Sequence, residues 1–155
     1  PALLAELHRR FGYFRNELRN IALTGVEGKR QMQRMMDQLR RSPPARIAGW
    51  NVSRFEDLLD EQGRLGPYQG DTDRAARNFL VFLLQGDRGM TGKICLRPSG
   101  TEPKAKAYFE VSTPPCPPEL SETEWAAWQR QADEASATLA DHFLRLALGH
   151  IGLTP

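Results

Sequence analysis

The sequence predicts an α+β fold: a mainly antiparallel sheet with two long helices packed on one face, plus a further helix at the N-terminus. Three observations carry this reading. Apolar residues recur every three or four positions over 32–39 and again over 125–146, which is the stripe of a core-facing helix. Between these stretches lie several short apolar runs bounded by Gly, Pro, Asn and Asp, the pattern of strands and turns. The chain has 155 residues, 40% hydrophobic and 26% charged, which is ordinary for one globular domain with a modest core. Strands flanked by two long helices pack with the helices on one sheet face.

Element by element, residues 2–14 are expected to form a helix with Leu3, Leu7, Phe11 and Phe14 on one face, and Gly12 weakens its last turn. Leu18–Leu23 reads as a short strand. Thr24-Gly-Val-Glu27 has capping-box spacing and opens a helix to about Arg41, with Met32, Met35, Met36 and Leu39 as its stripe. Ser42-Pro43-Pro44 ends it. Arg46–Val52 and Phe55–Leu59 are strand material with a bend near Asn51. Asp60–Arg77, with three glycines and a proline, reads as loop. Asn78–Gln85 is an apolar strand, and Gly86–Gly92 is a turn. Lys93–Arg97 and Lys104–Ser112 are strands on either side of a compact loop. In the second, Ala105, Ala107, Phe109 and Val111 share one face, and Lys104, Lys106, Tyr108 and Glu110 share the other. Thr113-Pro-Pro-Cys-Pro-Pro118 is a stiff connector. Ser121-Glu-Thr-Glu124 is a second capping box, and the helix it opens runs to about Leu148.

The loop itself, Arg97-Pro-Ser-Gly-Thr-Glu-Pro-Lys104, is the most informative stretch. Arg97 supplies a planar fork of donors that matches phosphate oxygens. Ser99 and Thr101 add hydroxyl donors. Gly100 is expected to adopt positive φ, so that successive N–H groups converge on one point. Pro98 and Pro103 stiffen both ends. Glu102 is a poor neighbour for an anion and is expected to point away or pair with a lysine. Lys104 and Lys106 stand near enough to add longer-range charge. Read as residue types alone, the same stretch is also compatible with an ordinary tight turn.

This run, continuing as Ala105-Lys106-Ala107-Tyr108-Phe109-Glu110, resembles the C-terminal signature of the α-D-phosphohexomutases, the phosphoglucomutase/phosphomannomutase family. Leu3–Tyr13 resembles the helix that closes that family's third domain, and Gly25-Val26-Glu27-Gly28 the start of its fourth. The resemblance implies a TATA-box-binding-protein-like sheet-and-helix domain, with residues 1–16 a linker helix from the preceding domain and 17–155 the C-terminal phosphate-binding domain. It implies Arg97, Ser99, Gly100, Thr101, Lys104 and Lys106 as substrate-phosphate-binding residues. It also implies that the phosphoserine, the Mg²⁺ site and the sugar-reading loop lie in three preceding domains of the same polypeptide. No catalytic residue, metal ligand or bound cofactor is then expected in this chain. Phosphopentomutase activity within the same family and a non-catalytic anion- or nucleic-acid-binding module are the alternatives.

Other features yield less. Gly89-Met-Thr-Gly92-Lys93-Ile94 fails as a P-loop, because the first glycine would fall on Asp87 and the Mg²⁺-binding hydroxyl on Ile94. Gly70-Asp71-Thr72-Asp73-Arg74 resembles the family's metal loop, but Gln69 replaces the first carboxylate. It is expected to be a solvated acidic loop capping a short helix. His8, His142 and His150 have no partner at a catalytic spacing, and no nucleophile stands beside a base. Cys95 and Cys116 make no disulfide or metal framework, which fits a reducing cytoplasm. There is no apolar run of membrane-spanning length and no signal peptide. The net charge of +2 is unevenly spread, basic between His8 and Arg46 and acidic between Glu119 and Asp141. Nucleic acid is not expected as a partner, because no aromatic pair stands on the polar face of the strands. A first residue of Pro1 leads to the expectation of a piece of a longer chain.

Overall fold

A computed structural model describes residues 2–154, so that Pro1 and Pro155, the outer limits of the two expected segments, lie outside the described residues. The elements are α1 (Ala2–Phe11), β1 (Phe14–Ala22), α2 (Gly25–Arg41), β2 (Arg46–Ile47), β3 (Trp50–Asp57), α3 (Asp71–Ala76), β4 (Leu80–Gln85), β5 (Thr91–Pro98), β6 (Lys104–Ser112) and α4 (Glu122–Gly149). The strands form one six-stranded sheet in the order β1-β6-β5-β4-β3-β2, with antiparallel neighbours. The expected α+β architecture is the one observed.

Period-two patterning decides which sheet face is covered. Leu80, Phe82 and Leu84 of β4, Ile94 and Leu96 of β5, and Ala105, Ala107, Phe109 and Val111 of β6 are all buried. They meet Met32, Met35, Met36 and Leu39 of α2 and Ala132, Leu139, Ala140, Phe143 and Ala147 of α4 in one core. Phe143 is the keystone, edge-on to Phe82 at 5.4 Å and to Phe109 at 5.9 Å between ring centroids. Both long helices lie against this inner face, leaving Lys104, Lys106 and Tyr108 exposed on the other.

Several boundaries differ from expectation, each for a local reason. α1 stops at Phe11 rather than residue 14, because Gly12 takes φ +97° and presses against the end of β6. A Cβ on Gly12 would lie 2.2 Å from the Thr113 carbonyl oxygen. Tyr13 N–H then donates to Thr113 Oγ1 at 2.9 Å, and Phe14 opens β1 instead of ending the helix. β1 is longer than expected because all nine of its residues register with β6. Thr24 precedes α2 but makes no side-chain cap bond, so its expected box is not closed. The Ser121 box is closed: its hydroxyl accepts from Glu124 N–H at 3.3 Å, and the Glu124 carboxylate accepts from Ser121 N–H at 2.9 Å. The expected 46–52 strand is broken at Ala48 and Gly49, both at positive φ, the conformation a two-residue hairpin turn requires. The expected bend at Asn51 is a register shift between Val52 and Arg54. Within the expected 60–77 loop sits the short helix α3. Asp73 at its start accepts from Gln69 N–H at 2.9 Å and pairs with Arg77 at 2.7 Å.

Candidate functional site

Residues 99–103 form the connection between β5 and β6, so the antiparallel register decides what stands beside them. Arg97 lies directly opposite Lys106, and Lys106 lies directly opposite Asn20 of β1. Residues opposed across a ladder share a sheet face. The structure therefore brings Arg97 and Lys106 together on the face away from the helices, a juxtaposition the strand pattern of β6 already suggested.

The loop is held in shape by its own polar groups. Ser99 N–H donates to the Lys104 carbonyl at 2.7 Å, and Leu23 N–H donates to the Pro103 carbonyl at 2.8 Å, tying the loop to the β1–α2 junction. The Ser99 hydroxyl oxygen accepts from Thr101 N–H at 3.4 Å and Glu102 N–H at 3.3 Å. The oxygen is the acceptor in both contacts, and its own O–H can donate to Thr101 Oγ1 at 3.5 Å or, where Thr101 is the donor there, to a ligand. Gly100 departs from expectation. Its φ lies outside the left-handed region, and an added Cβ would meet nothing within 4 Å. The turn is closed by Ser99 and by the two prolines, not by a left-handed glycine. What Gly100 contributes is open space over the loop backbone.

A cleft of about 350 Å³ opens on this end of the sheet. Arg97, Ser99, Gly100, Lys104 and Lys106 line it, and so does Glu102, which does not point away from the cleft. Thr101, expected in the same set, does not line the cleft; its hydroxyl stands 3.5 Å from that of Ser99. A smaller cleft of about 160 Å³ lies behind the loop toward Lys29 and Met32 of α2, and shares Ser99 and Gly100 as its wall.

The charges around the cleft are unequal. Lys104 pairs with Glu102 at 3.4 Å, as expected for that carboxylate, and Lys93 further along the face pairs with Glu110 at 3.4 Å. Among the described residues neither Arg97 nor Lys106 forms an ion pair. Two uncompensated cations beside hydroxyl and amide donors are the composition of an anion site. The Arg77 guanidinium holds the Asp73 carboxyl below the usual range, and Ser121 does the same for Glu124. Burial pushes the Cys95 thiol up. His8 packs edge-on against Tyr13 at 5.1 Å. Among the described residues no group of three or more His, Cys, Asp or Glu is placed to hold a metal.

Five residues that line the cleft, Asn20, Pro98, Glu102, Ala105 and Tyr108, were not in the expected set. Tyr108 was on the right strand face, two residues from Lys106, and the period-two pattern was the signal that could have placed it. Asn20 carries no such signal, because only the β1–β6 pairing brings it beside Lys106.

No protein-family model matches the chain. Among curated proteins, the chain is 35% identical over 113 residues to a phosphoglucomutase of Staphylococcus haemolyticus, covering 70% of this chain and 19% of that protein. It is 33% identical over 115 residues to a phosphoglucomutase of Staphylococcus aureus strain MRSA252, covering 72% and 20%. The strain N315 protein is 31% identical over 116 residues. The chain thus spans about a fifth of the length of the curated relatives it matches. No helix among the described residues is long and apolar enough to cross a membrane. The chain is a homologue of phosphoglucomutases, related to them over a domain-sized part of their length.

Proposed function

We propose that this chain is the substrate-phosphate-binding, C-terminal domain of a cytoplasmic phosphohexomutase that interconverts hexose 1- and 6-phosphates through a phosphoserine and a bisphosphate intermediate. The observation that carries the reading is the pairing of Arg97 with Lys106, both without an ionic partner among the described residues, at a cleft walled by the Ser99–Gly100 turn. Arg97 is the main clamp. Ser99 O–H and the Gly100 backbone complete the cradle, Thr101 supports the turn, and Lys104 and Lys106 add charge. In this reading the phosphate gripped is the one not being transferred. Phosphoryl transfer depends on positioning and charge neutralisation, and a separate domain that closes on the distal phosphate supplies both while excluding water. The serine loop, the sugar-reading loop and the Mg²⁺ site belong to preceding domains, joined through residues 1–16. The Asp71–Asp73 segment does not fit a cation, because Asp73 is already committed to Arg77 and to the Gln69 amide.

Arg97→Ala in the full-length polypeptide tests this. Arg97 is exposed, so its removal leaves no buried group unpaired. Loss of a charge-assisted, two-pronged contact costs about 2–4 kcal/mol, a fall in kcat/KM of about 30- to 1,000-fold. An unchanged kcat/KM would rule out the assigned role. The isolated chain is expected to show no turnover of glucose 1-phosphate, and measurable turnover would refute its part in the scheme.

A further inference from the structure

We infer that Tyr108, with Asn20 beside it, is the surface on which the sugar of the bound phosphosugar rests, so that the cleft reads the carbohydrate as well as the phosphate. The inference depends on the phosphosugar reading above and deepens it.

Register builds this surface. Asn20, Lys106 and Arg97 form one row across β1, β6 and β5, and Leu18, Tyr108 and Cys95 form the next row on the same face. Successive rows on one face lie about 7 Å apart along a strand. A hexose ring is separated from its phosphorus by an ester oxygen and at most one exocyclic carbon, so a phosphate at the first row leaves the ring above the second. The cleft has room for this: about 350 Å³ is within the range of small-molecule sites, about 300–1,000 Å³, and exceeds what a phosphate group alone fills.

The chemistry of the second row suits a sugar. Tyr108 remains 41% exposed and Leu18, directly across from it, 47% exposed, because both long helices cover the opposite face. A phenol offers an apolar ring face to pyranose C–H groups and a hydroxyl to sugar oxygens. Asn20 places an amide, both donor and acceptor, next to Lys106. Contacts made equally in ground and transition states appear in KM and leave kcat in place.

The test uses the full-length polypeptide with two probes: hexose 1-phosphate as substrate, and inorganic phosphate as a competitive inhibitor that has no sugar. Tyr108→Ala is expected to raise KM about 2- to 10-fold with kcat unchanged, and to leave the inhibition constant of inorganic phosphate within about twofold of wild type. Tyr108→Phe, which keeps the ring, recovers most of the lost KM, and Asn20→Ala shifts KM in the same sense as Tyr108→Ala. Unchanged KM in Tyr108→Ala overturns the inference. So does a parallel rise in KM and in the phosphate inhibition constant, which would make Tyr108 a support for the loop. Arg97→Ala separates the two readings. If it fails to weaken inhibition by inorganic phosphate, the phosphate site is refuted; if it weakens inhibition while Tyr108→Ala does nothing, only the sugar surface is.

Discussion

Gly100→Ala isolates the role of the loop backbone from the stability of the fold. In the structure a Cβ at this position meets nothing within 4 Å, and the backbone lies outside the left-handed region. The substitution therefore introduces neither a clash nor strain. A glycine-to-alanine change at a compatible position instead restricts the unfolded chain, which stabilises by about 0.4–1 kcal/mol. For a chain of this size that raises Tm by up to about 4 °C. The ligand-bound state responds differently, because the new methyl group stands beside the Gly100 N–H, the one amide of residues 99–102 without a partner among the described residues. Losing one charge-assisted amide contact costs about 1.5–3 kcal/mol, which lowers kcat/KM about 10- to 150-fold in the full-length enzyme. Thermal unfolding of the chain and steady-state kinetics of the whole polypeptide read the two effects separately. A marked fall in Tm would show that Gly100 is needed for the turn after all. Wild-type kcat/KM would show that no anion sits on this backbone.

The remaining predictions concern the scaffold. Gly12→Ala is the opposite case: φ is +97° and the added Cβ would lie 2.2 Å from a backbone oxygen, so urea unfolding should show a loss of at least ~2 kcal/mol, and wild-type stability would refute the close approach. Phe143→Ala removes the fully buried ring shared by Phe82 and Phe109 and should lower unfolding free energy by about 3–5 kcal/mol with an unchanged denaturant slope; a loss below 1 kcal/mol would contradict the packing. Asp73 and Glu124 have folded pKa values held below their ordinary ones. Their contribution is complete above the ordinary carboxylate range, near pH 4, and is lost as pH falls through the lowered folded values. The Asp73→Asn, Glu124→Gln double variant should therefore show a shallower acid decline in Tm than the parent; identical acid limbs would refute the linkage.

Much of the fold was legible because burial follows short-range periods. The Met32–Leu39 stripe, the alternation in Lys104–Ser112 and the Ser121 capping box each depend on residues within one or two turns, and each is realised as read. Thr24 shows where local reading stops. Its spacing is that of a capping box, but no side-chain bond forms. The limit of α1 was misread for a similar reason, since Gly12 is constrained by Thr113, a hundred residues away.

The candidate site divides along the same line. The sequence by itself determined the chemical inventory of the loop, its proline-bounded turn and the facing of Lys106, since adjacency and a period of two require no partner. Tertiary structure alone decided the register that sets Arg97 directly opposite Lys106, that Asn20 extends the cleft, and that Thr101 does not line it. It also decided that Gly100 leaves open space and does not bend the chain to the left. These outcomes follow from pairing strands distant in sequence, the pairing that also sets Glu110 against Lys93, and a local pattern does not encode it.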